Sequence, residues 1–182
     1  IFWRYSLIST AIAAVCGTLV VSILSTEFLD KYLPLIIVLT GVYTLFSKSI
    51  NVEHLTLPKE SKTLMTQQIS QGLILGFYDG VAGPGTGAFW TASSSALYKI
   101  NILLSSGLAR STNFVSNICS LFTFIYLGYV NLLLGISMGF FIMIGAWLGA
   151  KSAIKFGNKF IKPVFISVVL LMSINLAFNA WY

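Results

Sequence analysis

Residues 111–150 form a run of forty positions without a single Asp, Glu, Lys, Arg or His. A helix needs only about 20 apolar residues to cross a hydrocarbon core about 30 Å thick, so this run is two membrane spans rather than one. The natural break is Gly128-Tyr129-Val130-Asn131, where a glycine, an interfacial aromatic and a polar amide permit a tight turn at the membrane surface.

The same test along the chain predicts spans near residues 5–25, 32–48, 66–98, 106–127, 129–150 and 161–181. Composition agrees: 57% of the residues are hydrophobic, 9% are charged and the mean hydropathy is +0.88, against roughly 25% charged residues in a soluble domain. A β-barrel would require segments of about ten residues alternating polar and apolar, and these runs are continuous. The expected fold is an all-α membrane protein with six transmembrane helices in view. Ile1 to Trp3 lead almost directly into the first span with neither an initiator Met nor a signal-peptide pattern, so the chain is expected to be a piece of a longer membrane protein.

Six single crossings place Lys31, Lys99, Arg110, Lys151, Lys155, Lys159 and Lys162 on one side and Arg4, Lys48, Lys59 and Lys62 on the other. The richer side is expected to be cytoplasmic, anchored by the loop after Ala150, and the C-terminus extracytoplasmic. The net charge of +6 is then a matter of topology. No basic domain outside the membrane exists to carry nucleic acid, and none is expected as a partner. Cys16 and Cys119 each fall inside an apolar span and read as small buried hydrophobes. No His or Cys stands at metal-ligand spacing, so neither a metal nor a cofactor is expected.

A shift of 128 residues lays Gly17 on Gly145, Phe28 on Phe156, Asp30 on Asn158, Lys31 on Lys159 and Leu33 on Ile161. Such self-similarity is the pattern of transporters built from structural repeats. The chain then divides into residues 1–50, the last two spans of a first repeat; residues 51–65, an extracytoplasmic polar loop; and residues 66–182, a second four-helix repeat.

The segment 66–98 is too long for one straight span: 33 helical residues would reach about 50 Å. Its interruption is visible as Gly80-Val-Ala-Gly-Pro-Gly-Thr-Gly87, in which Pro84 lacks a backbone donor and Gly83, Gly85 and Gly87 accept unusual dihedrals. Unwound backbone at membrane depth is tolerated only where protein or a water-filled cavity satisfies it. A second half-helix starting near Thr86 would point its N–H groups and positive dipole end into that cavity, which suits a small anion. Gly72, Gly76 and Gly80 are four apart and read as a face for close helix approach.

Asp79 is the only charged residue between Thr63 and Tyr98, and an acid at membrane depth costs roughly 3 kcal/mol on insertion scales. It fits an ion or proton pathway, a cap on the following half-helix, or a pair with a basic residue. Beside an anion it would repel unless protonated, which gives proton coupling as an expectation. In the fourth span Asn113, Ser116, Asn117 and Ser120 share a helix face; the stripe suits interhelical hydrogen bonds and a cavity lining equally. The candidate substrate-binding residues are thus Asp79, Gly83, Pro84, Gly85, Thr86, Gly87, Asn113, Ser116 and Asn117.

The string Gly76-Phe-Tyr-Asp-Gly-Val-Ala-Gly-Pro-Gly-Thr-Gly-Ala-Phe89, followed by Asn113-Phe-Val-Ser-Asn117, resembles the second-repeat signature of the TauE/SafE sulfite exporter family. The resemblance covers essentially the whole chain. It implies a bacterial inner-membrane transporter of eight spans in two four-helix repeats, carrying sulfite or an organosulfonate-like anion by alternating access. Arg110 stands where that family commonly has a lysine, and Val81-Ala82 where bulkier apolar residues are usual. Solute, direction and oligomeric state are not specified by the resemblance.

Two other classes make different predictions. A membrane assembly subunit without transport predicts a regularly helical, packed segment over residues 80–87. An intramembrane enzyme needs a nucleophile and a base, yet His54 lies in a polar loop with Glu53, Lys59 and Glu60, and Ser93-Ser94-Ser95 has no base nearby in sequence but Asp79. No enzymatic activity is expected.

Overall fold

The computed structural model describes residues 3–25 and 58–156, with isolated positions at 32, 35, 36, 39, 167 and 171. The described residues form five helices and no strand: α1 (Arg4–Ile23), α2 (Lys62–Val81), α3 (Thr86–Tyr98), α4 (Ile102–Tyr126) and α5 (Leu132–Phe156). Apart from those isolated positions, the expected spans 32–48 and 161–181 lie outside the described residues, as do residues 51–57 of the loop 51–65, with His54.

The packing is the reverse of a soluble bundle. On α1 the buried face is Ser6, Ser9, Thr10, Ala13, Ala14, Gly17 and Thr18, while Ile8, Ile12, Leu19, Val20 and Ile23 are exposed. Lipid is as apolar as leucine, so burying leucine gains nothing there, and small residues that let backbones approach take the interface instead. The partner face on α2 is Gly72, Gly76 and Gly80. A Cβ built on Gly76 would lie 2.8 Å from the Thr10 Cα, and Cβ atoms on Gly72 and Gly80 would collide with Ser9 Oγ and with the Ala14 carbonyl. Gly17 completes the seam from α1, against the Phe77 carbonyl and Gly80. The close-approach reading of the glycine stripe is what the structure shows.

Cys16 is exposed on α1, and Cys119 is partly buried. The expectation that both are buried fails for Cys16 because the buried face of its helix is taken by residues smaller or more polar.

The loop predicted at residues 128–131 is present. Gly128 adopts φ +78°, and Asn131 Oδ1 accepts from the Leu134 N–H at 3.1 Å, capping α5. On α5 every residue from Leu132 to Gly149 is exposed among the described residues.

The segment 66–98 departs from expectation in direction. Had α3 carried on where α2 stops, Gln71 and Ser94 would be about 35 Å apart. Instead Gln71 Nε2 donates to Ser94 Oγ at 3.0 Å and to Ser93 Oγ at 2.6 Å, and the Tyr98 hydroxyl donates to Gln71 Oε1. The chain therefore reverses at residues 82–85, and α2 and α3 form an antiparallel hairpin. Tyr98 returns to Trp3, ring centroids 6.2 Å apart, at the end where Arg4 and Glu60 approach to 4.0 Å. The expectation that Lys62 and Lys99 sit on opposite sides is thereby corrected: both ends of the hairpin lie at one end of the bundle. A break tells where a helix stops and carries no information on where the next one points.

Leu64, Trp90, Tyr98, Ile100, Leu108 and Ala109 form the main apolar cluster at that end. From it α4 runs parallel to α1, as Thr18 Oγ1 donating to Ser120 Oγ at 2.9 Å requires.

Candidate functional site

The tip of the hairpin is built from two left-handed glycines flanking a proline. Gly83 and Gly85 have φ of +83° and +81°, a region that costs other residues roughly 1–2 kcal/mol. The Thr86 hydroxyl donates to the Gly83 carbonyl at 2.5 Å, and the Tyr78 hydroxyl, from the last turn of α2, donates to the Pro84 carbonyl at 2.6 Å. Tyr78 is itself held edge-on against Phe89, centroids 5.6 Å apart. Both helices thus pin the turn, and an irregular backbone is kept in one shape.

The N-terminus of α3 is partly self-satisfied. The Thr86 N–H bonds the Gly83 carbonyl at 3.2 Å, and the N–H groups of Ala88 and Phe89 bond the Gly85 carbonyl at 2.9 and 3.1 Å. This leaves the Gly87 N–H with no backbone acceptor among the described residues. Beside Gly87 lies Asn113 of α4, whose Nδ2 would be 3.3 Å from a Cβ at Gly87, so glycine leaves the amide more room there than a side chain would. Asn113 Oδ1 is buried and without a hydrogen-bond partner among the described residues, a demand that a ligand or water must meet.

Asp79 lies under the turn: a Cβ on Gly83 would be 3.6 Å from its Oδ1. Its Oδ2 meets the Ser116 hydroxyl, and the Thr86 hydroxyl is also within reach. No Lys or Arg pairs with it among the described residues. Of the three roles open to Asp79 in sequence, the basic partner is the one the described geometry lacks.

The polar stripe of α4 divides. Ser116 is buried against Asp79 and Asn113 faces Gly87, whereas Asn117 is exposed among the described residues and donates to the Asn113 carbonyl of its own helix at 2.7 Å. Ser120 is taken by Thr18. Asp79, Gly83, Pro84, Gly85, Thr86, Gly87, Asn113 and Ser116 are thus gathered at the tip, and Asn117 stands aside. Sequence reasoning did not find the Gln71, Ser93, Ser94 and Tyr98 cluster; its signal is a glutamine and paired serines facing each other from two apolar segments.

Residues 1–176 match the family described as Sulfite exporter TauE/SafE. The chain belongs to that family. Among curated relatives of this TauE/SafE chain, the "Probable membrane transporter protein" of Haemophilus influenzae is 27% identical over 98% of the chain and 69% of its own length. The "Probable membrane transporter protein ORF9" of Sinorhizobium sp is 29% identical over 92% of the chain and 63% of its own length. The "Probable membrane transporter protein YfcA" of Escherichia coli K12 is 27% identical over 97% and 65%. The chain spans about two thirds of the length of these relatives. No solved structure matches it.

Proposed function

We propose that this TauE/SafE chain forms one half of the binding site of a small-anion transporter of the bacterial inner membrane, with sulfite or an organosulfonate-like solute as cargo and alternating access as the mechanism. One observation carries the reading: at the positive end of α3 the Gly87 N–H has no backbone acceptor among the described residues, and the Asn113 amide, its Oδ1 unpartnered among the described residues, lies beside the same glycine. An N–H, a helix dipole and a side-chain amide are neutral donors that hold an anion without the desolvation cost of a buried cation. The competing picture of an assembly subunit predicted regular helix over residues 80–87, and that segment contains two left-handed residues.

Asp79 carries the proton-coupling part of the proposal. A carboxylate directly under an anion site repels its ligand, and protonation removes that repulsion. The two four-helix repeats, the boundaries near residues 50 and 65, and an extracytoplasmic C-terminus belong to the same proposal.

Binding to the intact purified protein, measured against sulfite, sulfonates, sulfate and carboxylates, tests it. Affinity for the sulfur anions that disappears in a folded Gly85→Leu variant is the expected result; affinity retained in that variant moves the site away from the hairpin tip.

A further inference from the structure

The direction of the hairpin, together with the placement of charge, fixes which side of the membrane it comes from. Gly80 packs on Ala14 of α1 and Asp79 on Ser116 of α4, both close to the middle of helices long enough to cross a bilayer. The turn at residues 82–85 therefore sits near mid-depth, and α3, with thirteen residues, rises about 20 Å back to the face where α2 began.

That face gathers the basic residues. Arg4 opens α1 there, Lys59 and Lys62 flank the start of α2, and Lys99 follows α3. Arg110, exposed, adjoins Leu108 and Ala109 in the cluster that also holds Leu64. The chain then crosses along α4 and turns at Gly128 to Asn131, and α5, uncharged from Leu132 to Ala150 and long enough to cross, brings Lys151 and Lys155 back to the same face. Lys151 there lies over the Trp147 ring, 3.7 Å from its centroid, a pairing of aromatic and cation suited to a membrane interface. Packing puts Arg4, Lys59, Lys62, Lys99 and Arg110 on this side, and a single crossing by α5 adds Lys151 and Lys155, which makes all seven described Lys and Arg residues. The opposite face, with residues 22–25 and 126–131, has none among the described residues and presents the exposed Tyr126 and Tyr129.

We infer that α2 and α3 form a re-entrant hairpin that dips to mid-depth from the cytoplasmic face, with Lys62 and Lys99 both in the cytoplasm and the loop of Tyr129 outside. Lys/Arg excess close to span ends sets orientation, and a seven-to-none division among the described residues is far more decisive than the seven-to-four division that six single crossings give. The half-site at residues 83–87 then hangs on a stem anchored from the cytoplasm, so opening and closing on that side are movements of the hairpin against α1 and α4. The inference rests on the membrane reading and not on the nature of the solute.

Site-directed labelling separates the two topologies. In the intact protein with Cys16 and Cys119 changed to Ala, single cysteines are introduced as Lys62→Cys, Lys99→Cys and Tyr129→Cys and treated with a membrane-impermeant maleimide. The expected result is that Tyr129→Cys is labelled in intact cells, whereas Lys62→Cys and Lys99→Cys are both labelled only in inverted membrane vesicles. Labelling of Lys62→Cys and Lys99→Cys from opposite faces, or of both from outside, overturns the inference. Labelling of all three after detergent treatment confirms that each site is reactive in folded protein. Because the readout involves no transport, a wrong solute and a wrong topology give different failures.

Discussion

The Ser116 hydroxyl of α4 meets Asp79 Oδ2 of α2 beneath the hairpin tip, and the same hydroxyl has the Thr112 and Asn113 carbonyls at 3.1 and 3.0 Å. One hydroxyl proton cannot serve three acceptors. A neutral Asp79 would supply a proton of its own, donating to Ser116 and freeing the Ser116 hydroxyl to donate to one carbonyl of its own helix. An ionised Asp79 must draw the Ser116 proton away from those carbonyls. Under the proposed proton coupling, protonation of Asp79 would act on this contact, which holds α2 against α4.

Asp79→Asn keeps a donor in place of the protonated acid and removes the titration. The groups that meet Asp79 among the described residues are the hydroxyls of Ser116 and Thr86, so no second titratable group takes over. Uptake or efflux measured across a pH series is expected to lose its pH dependence in this variant while protein level stays normal. A pH profile identical to that of the unmodified protein refutes proton coupling through Asp79.

The α1 and α2 seam sets up a stability comparison between two glycines. A methyl at Gly80 would meet the Ala14 backbone, which cannot step aside as a side chain can, and overpacking of this kind costs about 1–3 kcal/mol or more. At Gly139 of α5 nothing lies within 4 Å, and alanine is the better helix former by about 1 kcal/mol. Thermal unfolding in detergent should therefore show Gly80→Ala clearly destabilised and Gly139→Ala unchanged or slightly stabilised.

Gly85→Ala isolates backbone strain from pocket volume. At φ +81° a Cβ costs roughly 1–2 kcal/mol, and Tyr78, held to Pro84, resists relaxation of the turn. The variant is expected to fold with a modest fall in melting temperature and a larger loss of anion affinity, because α3 must tilt to relieve the strain. Affinity equal to that of the unmodified protein would show that the tip geometry is not what binds the anion.

Much of this was legible because membrane residence writes itself in charge. The uncharged run 111–150 gave two helices and the position of the turn between them, since Gly128 and Asn131 can each do only a few things at a membrane surface. Gly72, Gly76 and Gly80 gave the seam through their spacing. The break before Thr86 was equally plain from Pro84 and its glycines. What the residues could not convey is that the chain turns back there, because helical periodicity is the same whether the next helix continues or reverses. Only pairs distant in sequence, such as Gln71 with Ser94 and Tyr98 with Trp3, decide the direction. Asn117 was grouped with Asn113 for a related reason: positions four apart share a face only broadly, and the neighbour that Asn113 meets is fixed by α3.

The pair that decides the direction also supplies a test of how the hairpin is held. Gln71 uses its amide nitrogen on Ser93 and Ser94 and its oxygen on the Tyr98 hydroxyl, so one side chain ties the stem of α2 to most of α3. Hydrogen bonds between membrane helices average about 0.6 kcal/mol, with a maximum near 1.7. Tyr98→Phe removes one bond and keeps the ring against Trp3; Gln71→Leu removes all three and leaves the buried Tyr98 hydroxyl with Ser6 as its remaining partner among the described residues. Melting temperatures in detergent should fall little for Tyr98→Phe and several-fold more for Gln71→Leu. Adding Tyr98→Phe to Gln71→Leu should recover part of the loss, because the hydroxyl that lost its Gln71 acceptor is gone. Strictly additive losses would mean that Gln71 and Tyr98 do not act together and that apolar packing alone closes the hairpin.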